Sequence, residues 1–246
     1  MRTVGPNDAG GGFSIYYPDE FRWNWYEPGN ICSDDELFAW TYAHAQIPPY
    51  VVDASARLVA TGFQFGIARN ANPVGIKVEI KKWIIPDPQY PWGEILDCEV
   101  GLAKNYAEWC GDLLGTNQAH GYWGAEPAYD VYGGESDLWG REFTPCEIMR
   151  GGGGDLDEFA VFLSITNPPQ IAMPTACVGH VRMTAYVTFP TAMAMALGLA
   201  PGPSVYPVVA TATALAIVPR EPVRGTRMRH GKYFLEGSLE PMETEA

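Results

Sequence analysis

The chain is poor in positive charge. Lys and Arg together number 16 against 29 Asp and Glu, for a formal net charge of −13 over 246 residues. An acidic surface repels phosphate backbones, so nucleic acid is not an expected partner. Paired cysteines are also missing. Cys32, Cys98, Cys110, Cys146 and Cys177 are odd in number and never spaced CxxC, which disfavours both a disulfide framework and a zinc site. Reduced thiols in a protein made in a cytoplasm are expected. Long apolar runs are absent too. The longest, residues 191–218, is broken by Gly198, Pro201, Gly202, Pro203 and Pro207, so no membrane span is expected. The opening MRTVGPNDAGGG has no apolar core, and no signal peptide is expected. GxSxG, HExxH, Walker A and GxGxxG do not occur, and His44, His120, His180 and His230 are scattered. These absences lead to an expectation of no enzyme, no catalytic set, no cofactor and no metal.

What is present is turn-forming and aromatic: Gly 27, Pro 21 and 13% aromatics, with 47% apolar residues to fill a core. That mixture suits short strands joined by many turns. Two-residue periodicity locates them. Phe63, Phe65 and Ile67 alternate with Gly62, Gln64 and Gly66. Val74, Ile76, Val78 and Ile80 alternate with Lys77, Glu79 and Lys81, after a turn at Asn72-Pro73. Leu96, Cys98, Val100 and Leu102 share a face, as do Phe159, Val161, Leu163 and Ile165. Val181, Met183, Ala185, Val187 and Phe189 oppose His180, Arg182, Thr184 and Tyr186. A strand apolar on both sides is expected over 205–218, and two more near Phe38–Tyr42 and Tyr129–Tyr132. Residues 105–154 read as a long Gly/Trp/Tyr-rich connection. The expected fold is all-β: an antiparallel two-sheet β-sandwich of jelly-roll type, with extended N- and C-terminal arms.

One ordered set of segments is more specific than periodicity. It begins with Trp25…Glu27-Pro28-Gly29-Asn30 and Ser33-Asp34-Asp35, then Thr61-Gly62-Phe63-Gln64-Phe65-Gly66-Ile67 and Pro73-Val74-Gly75-Ile76-Lys77-Val78-Glu79-Ile80. It continues with Tyr132-Gly133-Gly134-Glu135-Ser136-Asp137-Leu138-Trp139-Gly140 and Phe143-Thr144-Pro145, and closes with Val178-Gly179-His180-Val181-Arg182-Met183-Thr184-Ala185-Tyr186-Val187. This resembles a β-sandwich module of tailed-bacteriophage structural proteins that also occurs in some bacterial surface proteins. Its marks are GFGF, GIEVEI, GG-x-x-DLWG-x-x-WTP and VDHVRITVYY. The resemblance covers residues 23–190 and is most specific at the DLWG segment. The chain departs from the pattern at Ala68-Arg69, at Phe143 in place of Trp, and at Val178-Gly179-His180 in place of Val-Asp-His. The resemblance implies a non-enzymatic virion protein assembled in the host cytoplasm. A head decoration, cement or minor capsid protein is the first expectation, and a tail-tip or fibre module that binds a receptor or carbohydrate is the alternative. Its partners would be other virion proteins and copies of itself.

Candidate residues carry two readings each. Asp34, Asp35 and Glu36 cluster hard oxygens as calcium sites do, or form an Asx-type turn. Trp139 in DLWG either stacks on a sugar or plugs the end of the sandwich, and its place between two turn-forming stretches favours the plug. Trp109, Tyr122 and Trp123 are the candidate ligand aromatics. Gly151–Gly154 imitates a phosphate loop but is followed by Asp155, Asp157 and Glu158.

The chain is expected to divide into an arm over 1–22, the sandwich over 23–190 and an extension over 191–246. The candidate interface residues are at the two ends. Phe13, Ile15 and Tyr17 could add a strand to a neighbouring subunit. Arg220, Arg224, Arg227, Arg229 and Lys232 form a basic run that could pair with a neighbour's carboxylates. A homo-oligomer is expected, a trimer ahead of a dimer.

Overall fold

The computed structural model describes residues 1–15, 23–42, 54–149, 158–168 and 173–190. All belong to the first of the two units into which the chain divides, Met1–Ala194. Tyr17, the Gly151–Gly154 run, the strand expected over 205–218 and the basic residues Arg220, Arg224, Arg227, Arg229 and Lys232 lie outside the described residues.

Nine strands are found among the described residues, in two antiparallel sheets packed face to face. They are β1 (Arg2–Asp8), β2 (Gly11–Ile15), β3 (Ala39–Tyr42), β4 (Arg57–Thr61), β5 (Asn72–Ile85), β6 (Leu96–Ala103), β7 (Ala128–Gly134), β8 (Ala160–Thr166) and β9 (Thr175–Thr188). Sheet A runs β1-β9-β5-β7, with β3 also pairing β9. Sheet B runs β2-β4-β8-β6. Odd-numbered strands are in sheet A and even-numbered strands in sheet B, so each successive strand changes sheet. The protein is an all-β sandwich.

The two-residue phase delivers the core. Phe63, Phe65, Ile76, Val78, Val100, Phe159, Val161, Leu163, Val181, Met183 and Val187 are all buried in one cluster. Residues 63–68 alternate buried and exposed as expected, while Gly62 is buried with Phe63; the segment follows β4 and belongs to no ladder. A second, smaller cluster covers the outer face of sheet B. There Val59, Ala160 and Phe162 pack under Trp109 of the short helix α1 (Tyr106–Cys110). The connection over 105–154 therefore has elements of its own: α1, β7 and α2 (Pro145–Ile148), the last opened by a Thr144/Glu147 capping box.

The N-terminal stretch needs a correction. Residues 2–8 pair with β9 and residues 11–15 with β4 of the same chain, so both strands belong to the sandwich. Phe13 opposes Val59, and Ile15 opposes Arg57. β2 is thus the edge strand of sheet B, with one side of its backbone paired to β4. The glycines serve close packing: a Cβ on Gly12 would stand 1.9 Å from the Pro28 carbonyl oxygen, in the 3-10 helix Pro28–Cys32. β1 escapes sequence reading because only Val4 and Asn7 are even half-buried, and because its register slips between Val4 and Asn7 around Pro6.

Candidate functional site

The most concentrated chemistry is between the sheets. β5 places Ile76, Val78, Ile80, Lys82 and Ile84 on its inward phase, so one lysine enters the apolar row. On β6 a register slip between Asp97 and Glu99 lets both Asp97 and Val100 face inward, although they are three residues apart. This corrects the expected face: Leu96 and Cys98 are only half-buried, while Ile95 and Asp97 are buried.

Lys82 and Asp97 meet there with side chains 3% and 0% exposed. Lys82 Nζ donates to Asp97 Oδ1 at 2.8 Å and Oδ2 at 2.9 Å, and to the Tyr132 hydroxyl at 2.5 Å. Asp130 Oδ2 on β7 lies 2.9 Å from the same nitrogen. Asp97 accepts three further hydrogen bonds: from Trp123 Nε1 at 2.8 Å, from the Tyr132 hydroxyl at 2.8 Å and from the His120 backbone N–H at 3.3 Å. The rings of Trp123 and Tyr132 stand 4.9 and 5.2 Å from Nζ. Burial first, then the Asp97 carboxylate, drives the Tyr132 hydroxyl far above its ordinary value, so it remains a donor. The network joins β5, β6, β7 and the 118–123 segment around one buried charge pair.

A second network is on the outer face of sheet A. Lys81, the neighbour of Lys82, points outward and donates to Asp34 Oδ1 at 2.6 Å. The Tyr129 hydroxyl donates to Asp34 Oδ2 at 3.0 Å and lies 2.7 Å from His180 Nδ1. His180 Nε2 is 3.1 Å from Asp8 Oδ1, within ion-pair reach though off the line of a hydrogen bond. His180 is therefore in the outward phase expected of it, but it is only 2% exposed. Hydrogen bonds from Lys81 and then Tyr129 hold the Asp34 carboxyl below its ordinary value. Glu79 is also lowered: burial opposes this, and the hydrogen bonds and charges of Lys77 and Arg182 outweigh it.

The candidate ligand aromatics do not form a platform. Trp109 and Trp123 are 2% and 5% exposed; Trp109 seals the outer face of sheet B and Trp123 caps the Lys82 network. Of the three, only Tyr122 is open, at 63%. Both tryptophans lie against apolar strand faces, where burying the ring gains more than exposing it. Trp139 is 1% exposed, and its Nε1–H donates to the Ile76 carbonyl at 2.9 Å. Its backbone is left-handed, φ 58°, which costs a non-glycine residue about 1–2 kcal/mol. Ring burial and the Asp137 carboxylate, which accepts from the Trp139 N–H at 2.6 Å, offset that cost. Asp35 accepts from the Leu37 N–H at 2.8 Å and from the Ser33 hydroxyl at 2.6 Å, the geometry of an Asx turn. Among the described residues, no group of three His, Cys, Asp or Glu side chains is placed to hold a metal ion. The five cysteines stand as free thiols, and burial pushes that of Cys177 up to about 12.

Sequence reading missed the Lys82 network. A signal was there: Lys82 shares the phase of Ile76, Val78 and Ile80, and a charge in an apolar row needs a buried partner. No family model matches the chain, and neither any curated protein nor any solved structure matches it.

Proposed function

We propose that the chain is a non-enzymatic structural protein of a tailed-bacteriophage virion, a head decoration, cement or minor capsid protein wound as a jelly roll. One observation carries the reading: the residues behind the resemblance are the ones that close this sandwich. Trp25, Phe63, Phe65, Ile76, Val78, Trp139, Phe143, Val181 and Met183 are all buried in its single main core. The side chains able to do chemistry are tied into staples between strands, which suits a rigid building block. Its partners are other virion proteins and further copies of the chain, a trimer ahead of a dimer. Its place is the particle, assembled in the host cytoplasm, and the acidic excess disfavours DNA as a partner. Mass spectrometry of particles purified from the phage that encodes the chain tests this. The chain should be present at a fixed ratio to the shell protein. Its absence from particles of which every other component is detected overturns the proposal.

The alternative, a carbohydrate- or receptor-binding module at a tail tip or fibre, is favoured by one feature. An open groove of about 550 Å³ is lined by Tyr26, Tyr42, Ile85, Pro86, Asp87, Pro88, Met173 and Thr175. Tyr26 and Tyr42 are half exposed there, a pair of rings beside the Asp87 carboxylate, as sugar sites use. Glycan-array binding that disappears in Tyr26→Ala and Tyr42→Ala supports this reading, and an array with no bound glycan removes it.

A further inference from the structure

We infer that Lys82 and Asp97 join covalently, Nζ to Cγ, in an intramolecular amide bond that the chain forms on itself and that ties sheet A to sheet B. This does not depend on the virion reading. Water normally opposes condensation of an amine with a carboxylic acid, because both reactants are solvated as ions. Here the two side chains are 3% and 0% exposed, and Nζ is already 2.8 and 2.9 Å from the two carboxylate oxygens. Fixing the reactants in contact removes the entropy of encounter, and excluding water removes the competing solvation.

The surrounding groups fit the steps. A proton passing from Nζ to Asp97 along their hydrogen bond turns the buried ion pair into a neutral amine and a neutral acid, the reactive form. The lone pair on Nζ then adds to Cγ. The second amine proton goes to Asp130, 2.9 Å away, and the oxygen that gains negative charge is held by Trp123 Nε1–H, which already donates to Oδ1 at 2.8 Å. The C–O bond to the other oxygen breaks. The departing hydroxyl takes the proton that Asp130 received, relayed by the Tyr132 hydroxyl, which hydrogen-bonds both Lys82 and Asp97. One water leaves, the amide remains, and no oxidant or cofactor enters the balance.

Intact-mass spectrometry of the purified, folded 246-residue chain tests this. The mass should fall below the sequence mass by one water, and Lys82→Arg and Asp97→Ala should each restore the full mass. Trypsin does not cut after an acylated lysine. A digest should therefore yield a peptide running from Lys82 to Lys104, one water light and without fragmentation between the linked residues. Wild-type chain at full sequence mass, with ordinary cleavage after Lys82, overturns the inference whatever the variants do. A lost water that maps elsewhere, or that persists in Lys82→Arg, overturns it equally.

Discussion

Lys81 and Lys82 are neighbours on one strand and meet opposite fates. Lys81 faces out to Asp34, with side chains 26% and 46% exposed; Lys82 faces in to Asp97, with 3% and 0%. The contact distances are alike, 2.6 and 2.8 Å. What differs is the medium. Water and salt screen the outer pair, and two long side chains lose freedom to make it, so it adds little. The inner pair has no solvent to fall back on. Its charges depend on one another and on Tyr132, Trp123 and Asp130, so removing one partner is costly. A short contact distance does not rank ion pairs; the enclosure around them does.

Breaking the inner side should give the largest effects. Lys82→Met leaves Asp97 buried without its cation and should cost about 3–5 kcal/mol in urea unfolding. The double variant Lys82→Met/Asp97→Leu should recover the part of that loss due to a stranded charge, and none of the part due to the missing amide link. If the double variant is no better than the single, the loss comes from packing or from a missing covalent link and not from an uncompensated charge. Phe159→Ala provides an apolar scale for the same core and should cost about 3–5 kcal/mol, since Phe159 is fully buried. Tyr132→Phe keeps the ring and removes one donor to Asp97 and one acceptor for Lys82; a loss of about 1–3 kcal/mol is expected from the same unfolding curves.

The outer network is sharpened by pH. The Glu79 carboxyl on that face is held below its ordinary value of 4.5, as are two carboxyls elsewhere in the sandwich, Glu108 paired with Arg141 and Glu147 paired with Lys104; in each case ionic and hydrogen-bonding partners outweigh burial. Their stabilisation is complete above the unfolded value and is lost as pH falls through the folded one, so the melting temperature should decline from about pH 4.5 downward. Tyr129 works in the other direction. Burial, with Asp34 behind it, raises its hydroxyl to about 12 from 10.0, so its contribution is complete below pH 10 and fades as pH climbs toward 12. A Tyr129→Phe chain should lose that alkaline limb in a pH series of melts. The smallest effect belongs to Lys81→Ala, which should leave the midpoint unchanged within error at physiological salt. A large drop would mean that the outer pair is shielded as the inner one is.

These contrasts mark what a single sequence could reveal. Phe159, Val161, Leu163, Val181 and Met183 were legible because alternation is local: each strand turns successive side chains to opposite faces whatever it pairs with. Trp139 was legible as a plug from its place between two turns. Trp109 and Trp123 were not. An aromatic in a loop reads alike whether it faces a groove or a strand, and the sheet that each one covers is assembled from distant residues.

The sequence by itself determined the phases of β5 from Ile76 on, of β8 and of β9, the core residues those strands carry, the all-β class and the inward direction of Lys82. Tertiary structure alone decided what Lys82 meets: Asp97, turned inward by a bulge that its own segment does not signal, and Tyr132, fifty positions along the chain. It also decided that the Gly-rich opening becomes β1 and β2, because the unpaired edges of β9 and β4 offer that weakly apolar stretch the backbone partners it lacks. Phase comes from backbone geometry within a few residues, whereas partnership comes from contacts the chain makes only after it has folded back on itself.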